Sequence, residues 1–429
     1  MRTDTLIPRV EDYDISPTRG FLPANDPLEC LIHPLYTPWE SVAKELPSLI
    51  QTRKIHHIVE HLNVLSTEHL NTTQELQRAY SLLGFIMNAY IWGADQPATV
   101  VPTSISIPFT VVCKKLGLPP VATYAGLVLW NFKVASPEAG VDMVENLSTL
   151  TTFTGLEDES WFYMISVAIE AHGAPMIPIL LGAMDAVLDI DVDRVVMALH
   201  ASTRCLEELS SLLGRMQERC EPHVFYHQLR RFFAGSADVK SGNGQPNGVL
   251  MQDSTRGVQT ASYRGGSNAQ SSLLQFFDIV LGVDHSGGAH AAADEPGDNF
   301  LFSMRMYMPG IHRRFLQHVE AVANLRGFVG DRPSDQRLVA AFNGCVNALL
   351  GLRRKHIQIV ARYVVLAGSR ERRAPQVRNE KASIGPSSAL VENASRRGTG
   401  GTMLIPFLKQ TAQDTWEAAV HIQTAQVDK

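Results

Sequence analysis

The sequence predicts a mainly α fold, with a small mixed N-terminal domain over residues 1–150 and a large all-helical domain over residues 151–429. Three observations predict it. Long stretches after Thr151 place apolar residues three and four apart, the spacing of a helix that buries one face. Strand and helix patterns never alternate in a regular series, which argues against a parallel α/β sheet. Prolines at Pro97, Pro102, Pro108 and Pro119–Pro120 break the chain ahead of residue 150 into short pieces.

The elements follow in order. Residues 1–40 are rich in proline and acidic side chains and read as an extended arm. Residues 40–65 and 73–92 carry helical periodicity, while 109–113 suit a short strand. Further helices are expected over 159–172, 192–217, 224–233, 271–283, 311–325 and 335–367. Between them lie three polar or glycine-rich stretches, 235–266, 285–298 and 368–401, which read as long loops. The last of these is expected to be a flexible loop, because structureless loops of such length are usually lids or disordered segments.

Composition narrows the function. The chain has 429 residues, 45% of them hydrophobic and 19% charged, as in an ordinary globular protein. A net charge of -5 argues against a nucleic-acid partner, which needs a basic face. Cys30, Cys113, Cys205, Cys220 and Cys345 are odd in number and scattered, so neither a disulfide framework nor a zinc knuckle is indicated. They fit reduced thiols and a cytoplasmic setting. The first residues mix charges and lack the apolar core of a signal peptide, and no run approaches the roughly 18 apolar residues of a membrane span. No membrane partner is expected.

Four constellations carry chemistry. In the first, His356 sits mid-stripe on the helix over 335–367, with Leu352 and Val360 one turn to either side and Arg353 nearby. A neutral imidazole on such a face is either a satisfied core histidine or an axial ligand to a large flat metal cofactor. Arg353 would then pair with a carboxylate. In the second, Tyr226, Arg230 and Phe233 are spaced to share a helical face. A guanidinium among aromatic rings suits a zwitterionic aromatic substrate, or is an arginine snorkelling at a helix edge.

The third is Arg264-Gly-Gly-Ser-Asn-Ala-Gln-Ser-Ser272, where Gly265 and Gly266 allow close approach to a flat ligand that Ser267 can hydrogen-bond, or the stretch is a plain linker into a helix. The fourth, Gly398-Thr-Gly-Gly-Thr402, is an anion nest, a lid hinge or a flexible loop end. There is no GxSxG and no HExxH, and His285 and His290 fall in a glycine-rich stretch that reads as mobile. His56, His57, His61 and His69 lie on a surface-like helix, where a metal cluster is a minor alternative.

Taken together these segments resemble the indoleamine 2,3-dioxygenase family, and they occur in its order. The resemblance is carried by FYHQLR (Phe225–Arg230), RGGSNAQSS (Arg264–Ser272), FFDIVLGV (Phe276–Val283), MYMPGIHRRFL (Met306–Leu316), RRKHIQIVARY (Arg353–Tyr363) and GTGGT (Gly398–Thr402). Upstream, GLPPVATYAGLVLWNF (Gly117–Phe132) and WFYMISVAIEA (Trp161–Ala171) are similar to segments that line the family's distal pocket.

The resemblance implies that the larger domain binds heme b, with His356 as the proximal ligand to iron and Arg353 and Asp278 supporting that side near the propionates. It implies Ser166 as the distal serine, with Phe162 and Tyr163 in the same pocket and Tyr124 on the substrate side. Phe225, Tyr226 and Arg230 would receive the indole and its carboxylate. Gly266 and Ser267 would lie over the heme, and Thr399 would belong to a closing loop; His312 is a family histidine that is not on iron. Tyr226 stands where animal members have phenylalanine, Asn268 replaces a small residue and Leu127 replaces a cysteine.

The implied reaction opens the C2–C3 bond of L-tryptophan with O2 to give N-formylkynurenine, the entry to a kynurenine route that feeds tryptophan breakdown or NAD synthesis. It requires an electron donor to keep iron ferrous, and a monomer is expected. Two rivals stand beside it: a low-turnover heme protein that senses O2 or an indole, and a cofactor-free helical interaction protein that would be colourless.

Overall fold

The computed structural model describes residues 6–240, 247–253, 255–286, 300–368, 398 and 403–420. From Leu6 onward the N-terminal arm is anchored at several points rather than free. Val10–Tyr13 forms a 3-10 turn, and Val10, Ile15, Phe21 and Leu22 are buried. The Tyr13 hydroxyl meets His318 Nδ1 at 2.7 Å, and the Phe21 ring packs 5.8 Å from Phe315.

The stretch expected as one helix over 40–65 is three short ones: α1 (Thr37–Lys44), α2 (Leu46–Gln51) and α3 (Ile55–Glu60). Pro47 opens the second, and Arg53 at φ 58° turns the chain before the third. α4 (Thr73–Trp92) begins at a capping box, where Thr72 Oγ1 accepts from Glu75 N (3.2 Å) and Glu75 Oε2 from Thr72 N (2.9 Å). It is buried on every side from Arg78 to Ile91, and the buried Arg78 is paired with Glu40 at 2.6 Å.

The expected strand at 109–113 is helical. It lies within α5 (Thr103–Leu116), where Ile105, Phe109, Val112 and Cys113 share a buried face. Their three-and-four spacing outweighs the β-branched content, and Pro108 is tolerated at the cost of one backbone hydrogen bond. A π turn (Ala125–Leu129) leads into a small antiparallel hairpin of β1 (Phe132–Val134) and β2 (Leu147–Thr149), in the register Phe132↔Thr149.

The helical remainder opens with α6 (Glu157–Gly173), α7 (Met176–Leu188) and α8 (Val192–Gly214). α7 was absent from the sequence reading. By length and composition alone Glu157–Leu188 could cross a membrane, yet 67% of its most apolar window is buried inside the protein. Short helices α9 (Met216–Arg219) and α10 (Pro222–Val224) precede a second π turn (Phe225–Leu229) and a 3-10 turn (Arg230–Phe233). The 235–266 stretch, read as a low-complexity loop, contains a second hairpin of β3 (Val249–Asp253) and β4 (Gly257–Ala261). Leu250 N donates to Thr99 O at 2.8 Å, tying this hairpin to the N-terminal half.

α11 (Ser272–Val280), α12 (Phe300–Met304), α13 (Gly310–Val322) and α14 (Leu325–Gly330) lead to the long α15 (Gln336–Val360), capped by the Asp335 carboxylate on Leu338 N at 3.0 Å. α15 runs into a third π turn (Ala361–Leu366), and α16 (Leu404–Glu417) ends the described chain. The dominant packing is α15 on α8, with α7 and α6 also against α8 and α16 against α15. One continuous apolar core runs from Val10 to Ala418. Of the expected flexible loop 368–401, all but Gly368 and Gly398 lies outside the described residues, as does His290.

Candidate active site

The core contains a cavity of about 250 Å³ whose lining is mainly apolar. Three sets of elements enclose it. α15 contributes Leu352, Arg353 and His356, and the π turn after it adds Tyr363 and Val364. α11 supplies Leu274 and Asp278, and α16 supplies Leu404, Phe407, Leu408 and Thr411. The remaining wall comes from Tyr124 and the first π turn, from α6, from residues 225–233 and the 266–271 loop, and from Leu213, Met216, Phe300 and Leu301.

Of the residues singled out from sequence, Tyr124, Phe162, Tyr163, Ser166, Phe225, Arg230, Gly266, Ser267, Asp278, Arg353 and His356 all line this one cavity. Thr399 lies outside the described residues, and Gly398 of the same motif is on the wall. Tyr226 is a correction. The sequence placed it on one helical face with Arg230 and Phe233, but the backbone there is a π turn followed by a 3-10 turn, so α-helical spacing fails. Phe225, Arg230 and Phe233 reach the wall, while Tyr226 stands behind them with its ring 5.6 Å from the Arg230 guanidinium.

His356 is enclosed by protein, with part of its surface open to the cavity. Burial, reinforced by the Arg353 charge, lowers its pKa to about 4, so at neutral pH the ring is uncharged and a lone pair is available to a metal. Arg353 pairs with Asp278, and its buried Nε has no hydrogen-bond partner. Burial opposes ionisation of Asp278, yet Arg353 and His285 beside it hold its carboxyl down at about 2.

No cluster of three or more His, Cys, Asp or Glu able to hold a metal ion occurs among the described residues. A lone imidazole cannot retain a bare divalent ion in an apolar cavity. It suits a metal that brings its own planar ligands, and the unpartnered Arg353 Nε suits an acidic substituent on such a group. The residues therefore fit a metalloporphyrin.

The aromatic wall is a packed set. Phe162 lies 5.1 Å from Phe225 and 5.3 Å from Phe233, and Phe225 meets Tyr363 edge-on at 5.7 Å. Burial lowers the Arg230 pKa, while Tyr226 and Asp238 act in the opposite sense. An incoming carboxylate would offset that desolvation cost. Ser166 Oγ donates back to Phe162 O at 3.4 Å. Tyr163 donates to Glu159 at 3.2 Å, and the buried Glu159 also accepts from the backbone of Phe153 and Thr154.

The 264–272 loop is fixed by its own polar groups. Gln270 donates to Gly265 O (2.8 Å) and accepts from Tyr124 N (2.9 Å), and Ser267 Oγ accepts from Ala269 N (3.3 Å). Gly265 and Gly266 are needed for close approach to neighbouring protein. A Cβ on Gly265 would overlap the Phe233 carbonyl, and one on Gly266 would meet the Leu127 side chain at 2.6 Å.

Two polar groups escaped the sequence reading. Glu170, one turn beyond Ser166, is buried and accepts from Tyr124 (3.0 Å) and Ser271 (2.6 Å), and its Oε2 has no partner. Burial raises its pKa to about 7 against the pull of those hydroxyls. Its i+4 spacing from Ser166 was the available signal, but the hydroxyls it meets come from distant segments. His285, read as part of a mobile stretch, is buried between Asp414 (2.7 Å) and Asp278 (3.3 Å). Elsewhere His56 Nε2 bonds Tyr90 O, the His57 and His61 rings lie 4.4 Å apart and tilted to each other, and the buried His312 is lowered to about 3 by desolvation.

Comparison with known proteins gives the same family. The family model described as indoleamine 2,3-dioxygenase matches residues 9–418. An indoleamine 2,3-dioxygenase of Saccharomyces cerevisiae is 39% identical over 426 residues, covering 95% of this chain and 93% of its own. A 6-hydroxytryptophan 2,3-dioxygenase of Fusarium equiseti is 40% identical, covering 97% and 99%. Human indoleamine 2,3-dioxygenase 2 is 32% identical, covering 97% of each chain. With this match along nearly the whole chain, and a cavity assembled from the family's motifs, the protein belongs to the indoleamine 2,3-dioxygenase family and is a dioxygenase.

Proposed function

We propose that this dioxygenase binds heme b through His356 and converts L-tryptophan and O2 to N-formylkynurenine. The observation that carries the reading is the His356 imidazole on the cavity wall, kept uncharged by desolvation, beside Arg353, whose Nε is buried without a partner. When bound, ferrous heme supplies the activation of O2, both atoms of which end on C2 and C3 of the indole.

The chain's own residues supply binding and orientation. His356 holds the iron, and Arg353 with Asp278 balances charge beside it. Arg230 takes the substrate carboxylate, while Phe162, Tyr163, Phe225 and Phe233 grip the indole. Tyr226 acts through Arg230 rather than by touching the ring. Tyr124 and Ser166 are among the hydroxyl-bearing side chains on a mainly apolar wall, and Gly266 and Ser267 shape the edge of the site. The Ser166 hydroxyl is far too weak an acid or base to move a proton from the indole, so its role is positional.

Hemin titration of the wild type and of His356→Ala, followed by a tryptophan assay reading the near-ultraviolet absorbance of the product, tests the proposal. A Soret band in the wild type that is lost or shifted in the variant, with product formation, is expected. A protein that stays colourless with added hemin would overturn it. The Fusarium relative named for 6-hydroxytryptophan supports a second reading, a ring-hydroxylated tryptophan as preferred substrate. A tenfold higher kcat/KM for that compound would favour it.

A further inference from the structure

We propose that His285 is a positioning residue that locks α16 onto the cavity through a buried chain of alternating charges, and so sets how tightly the cavity retains its cofactor; the second half rests on the heme reading above. α16 forms part of the cavity wall through Leu404, Phe407, Leu408 and Thr411. Its packing on α15 is supplemented by peripheral contacts, such as Arg326 Nη2 to Glu417 O at 2.9 Å. Ionic anchoring in its interior comes through Asp414, which is 4% exposed and meets His285 Nδ1 at 2.7 Å.

The backbone explains how a histidine from a glycine-rich stretch reaches that place. After α11 the chain reverses at Gly282, with φ 64°, and Val283 N donates to Asp278 O at 2.9 Å. This turn brings His285 back beside Asp278, where its Nε2 lies 3.3 Å from Oδ2. Asp278 Oδ1 in turn takes Arg353 from the cavity wall, and Asp414 Oδ1 takes Gln410 Nε2 at 2.8 Å. The run is therefore Arg353, Asp278, His285, Asp414. It crosses from α15 through α11 to α16, and His285 itself does not line the cavity.

Two buried carboxylates require two cations, so this chain is neutral only when His285 is protonated. The groups facing it are Asp278 from α11, Arg353 from α15 and Asp414 with Gln410 from α16. On its own segment are Asp284, which accepts from Ser286 N, and nearby Arg326. Burial and Arg353 disfavour the charged ring, yet the two aspartates raise its pKa to about 9. A buried ionic chain is seldom the most stabilising way to fill a core, and its best-attested use is to fix register between elements.

The test uses the full chain and His285→Gln, which keeps size and hydrogen-bonding capacity but not charge. Hydrogen exchange of residues 404–417 in the hemin-free protein is expected to rise about tenfold, with α4 unchanged. Release of hemin to excess apomyoglobin at pH 7 is expected to be roughly tenfold faster, the range for losing a group that supports ligand-bearing elements. Wild-type release should climb as pH passes about 9, while the variant's profile stays flat.

Asp414→Asn should reproduce both effects, and the double variant should add little to either, as expected for one network. Unchanged exchange in 404–417, faster exchange in α4 as well, or parallel pH profiles would overturn the proposal. Should the wild type bind no hemin, the heme reading falls, and the exchange experiment alone still decides whether His285 holds α16.

Discussion

Replacing Glu170 by glutamine should remove a pH-dependent cost that the native fold carries. The carboxyl is 1% exposed, accepts from Tyr124 and Ser271, and has a pKa of about 7 against an ordinary value of 4.5. Because the native state keeps this proton longer than the unfolded chain, the stability it contributes is fully present below pH 4.5. It drains away as pH rises to about 7 and is constant above. At about 1.4 kcal/mol per pH unit, the interval corresponds to about 3 kcal/mol.

Glutamine presents the same carbonyl acceptor to both hydroxyls and never ionises. The stability of Glu170→Gln minus that of the wild type should therefore rise by about 3 kcal/mol between pH 4.5 and 8. Asp278, His285 and His312 also titrate or shift, but they are common to both proteins and cancel in the difference. Urea unfolding followed by circular dichroism at stepped pH measures it. Curves for the two proteins that stay parallel within about 0.5 kcal/mol would refute the reasoning, since that is the scale of an ordinary surface substitution.

Arg230→Ala should raise KM for L-tryptophan by about 10- to 100-fold, the loss of a charged hydrogen bond, and leave turnover of tryptamine, which lacks the carboxylate, unchanged. Equal losses on both substrates would show that Arg230 does not read the carboxylate. Tyr226→Phe should change KM by less than about twofold because the ring beside Arg230 remains, whereas Tyr226→Ala should cost about 0.5–1 kcal/mol in binding. Gly265→Ala should destabilise the protein by about 3 kcal/mol, because the new methyl overlaps the Phe233 carbonyl. An unchanged urea midpoint would place that crossing wrongly.

Much of the fold was legible where one local signal was strong. α4 carries its own capping box, and α15 carries an apolar stripe with Asp335 at its start, so both were found close to their ends. α7 was missed because MIPILLGAMDAVL is apolar almost throughout and Pro178 interrupts it, leaving no polar face to set a period. The β3–β4 hairpin was hidden in a stretch that looks like linker, because its burial alternates while Val249, Leu250 and Met251 are all apolar, so the residue types show no alternation. The cavity residues were recoverable as a set through ordered motifs. Glu170 and His285 were not, since Glu170 takes its character from Tyr124 and Ser271, 46 and 101 positions away, and His285 sits between Asp278 and an Asp414 that is 129 positions away.

The three π turns are worth considering as a question of phase. Each inserts one residue beyond the helical repeat, so the chain past it is rotated by about 100° relative to an uninterrupted α-helix. All three border the cavity, through Leu127 and Val128, through Phe225, and through Tyr363 and Val364. Shortening the second by a residue would turn Arg230 and Phe233 away from the space they now enclose, while the first and third carry their own wall residues within the turn. Local regularity and a correctly faced interior are thus competing demands in this chain, and at these three places the interior prevails.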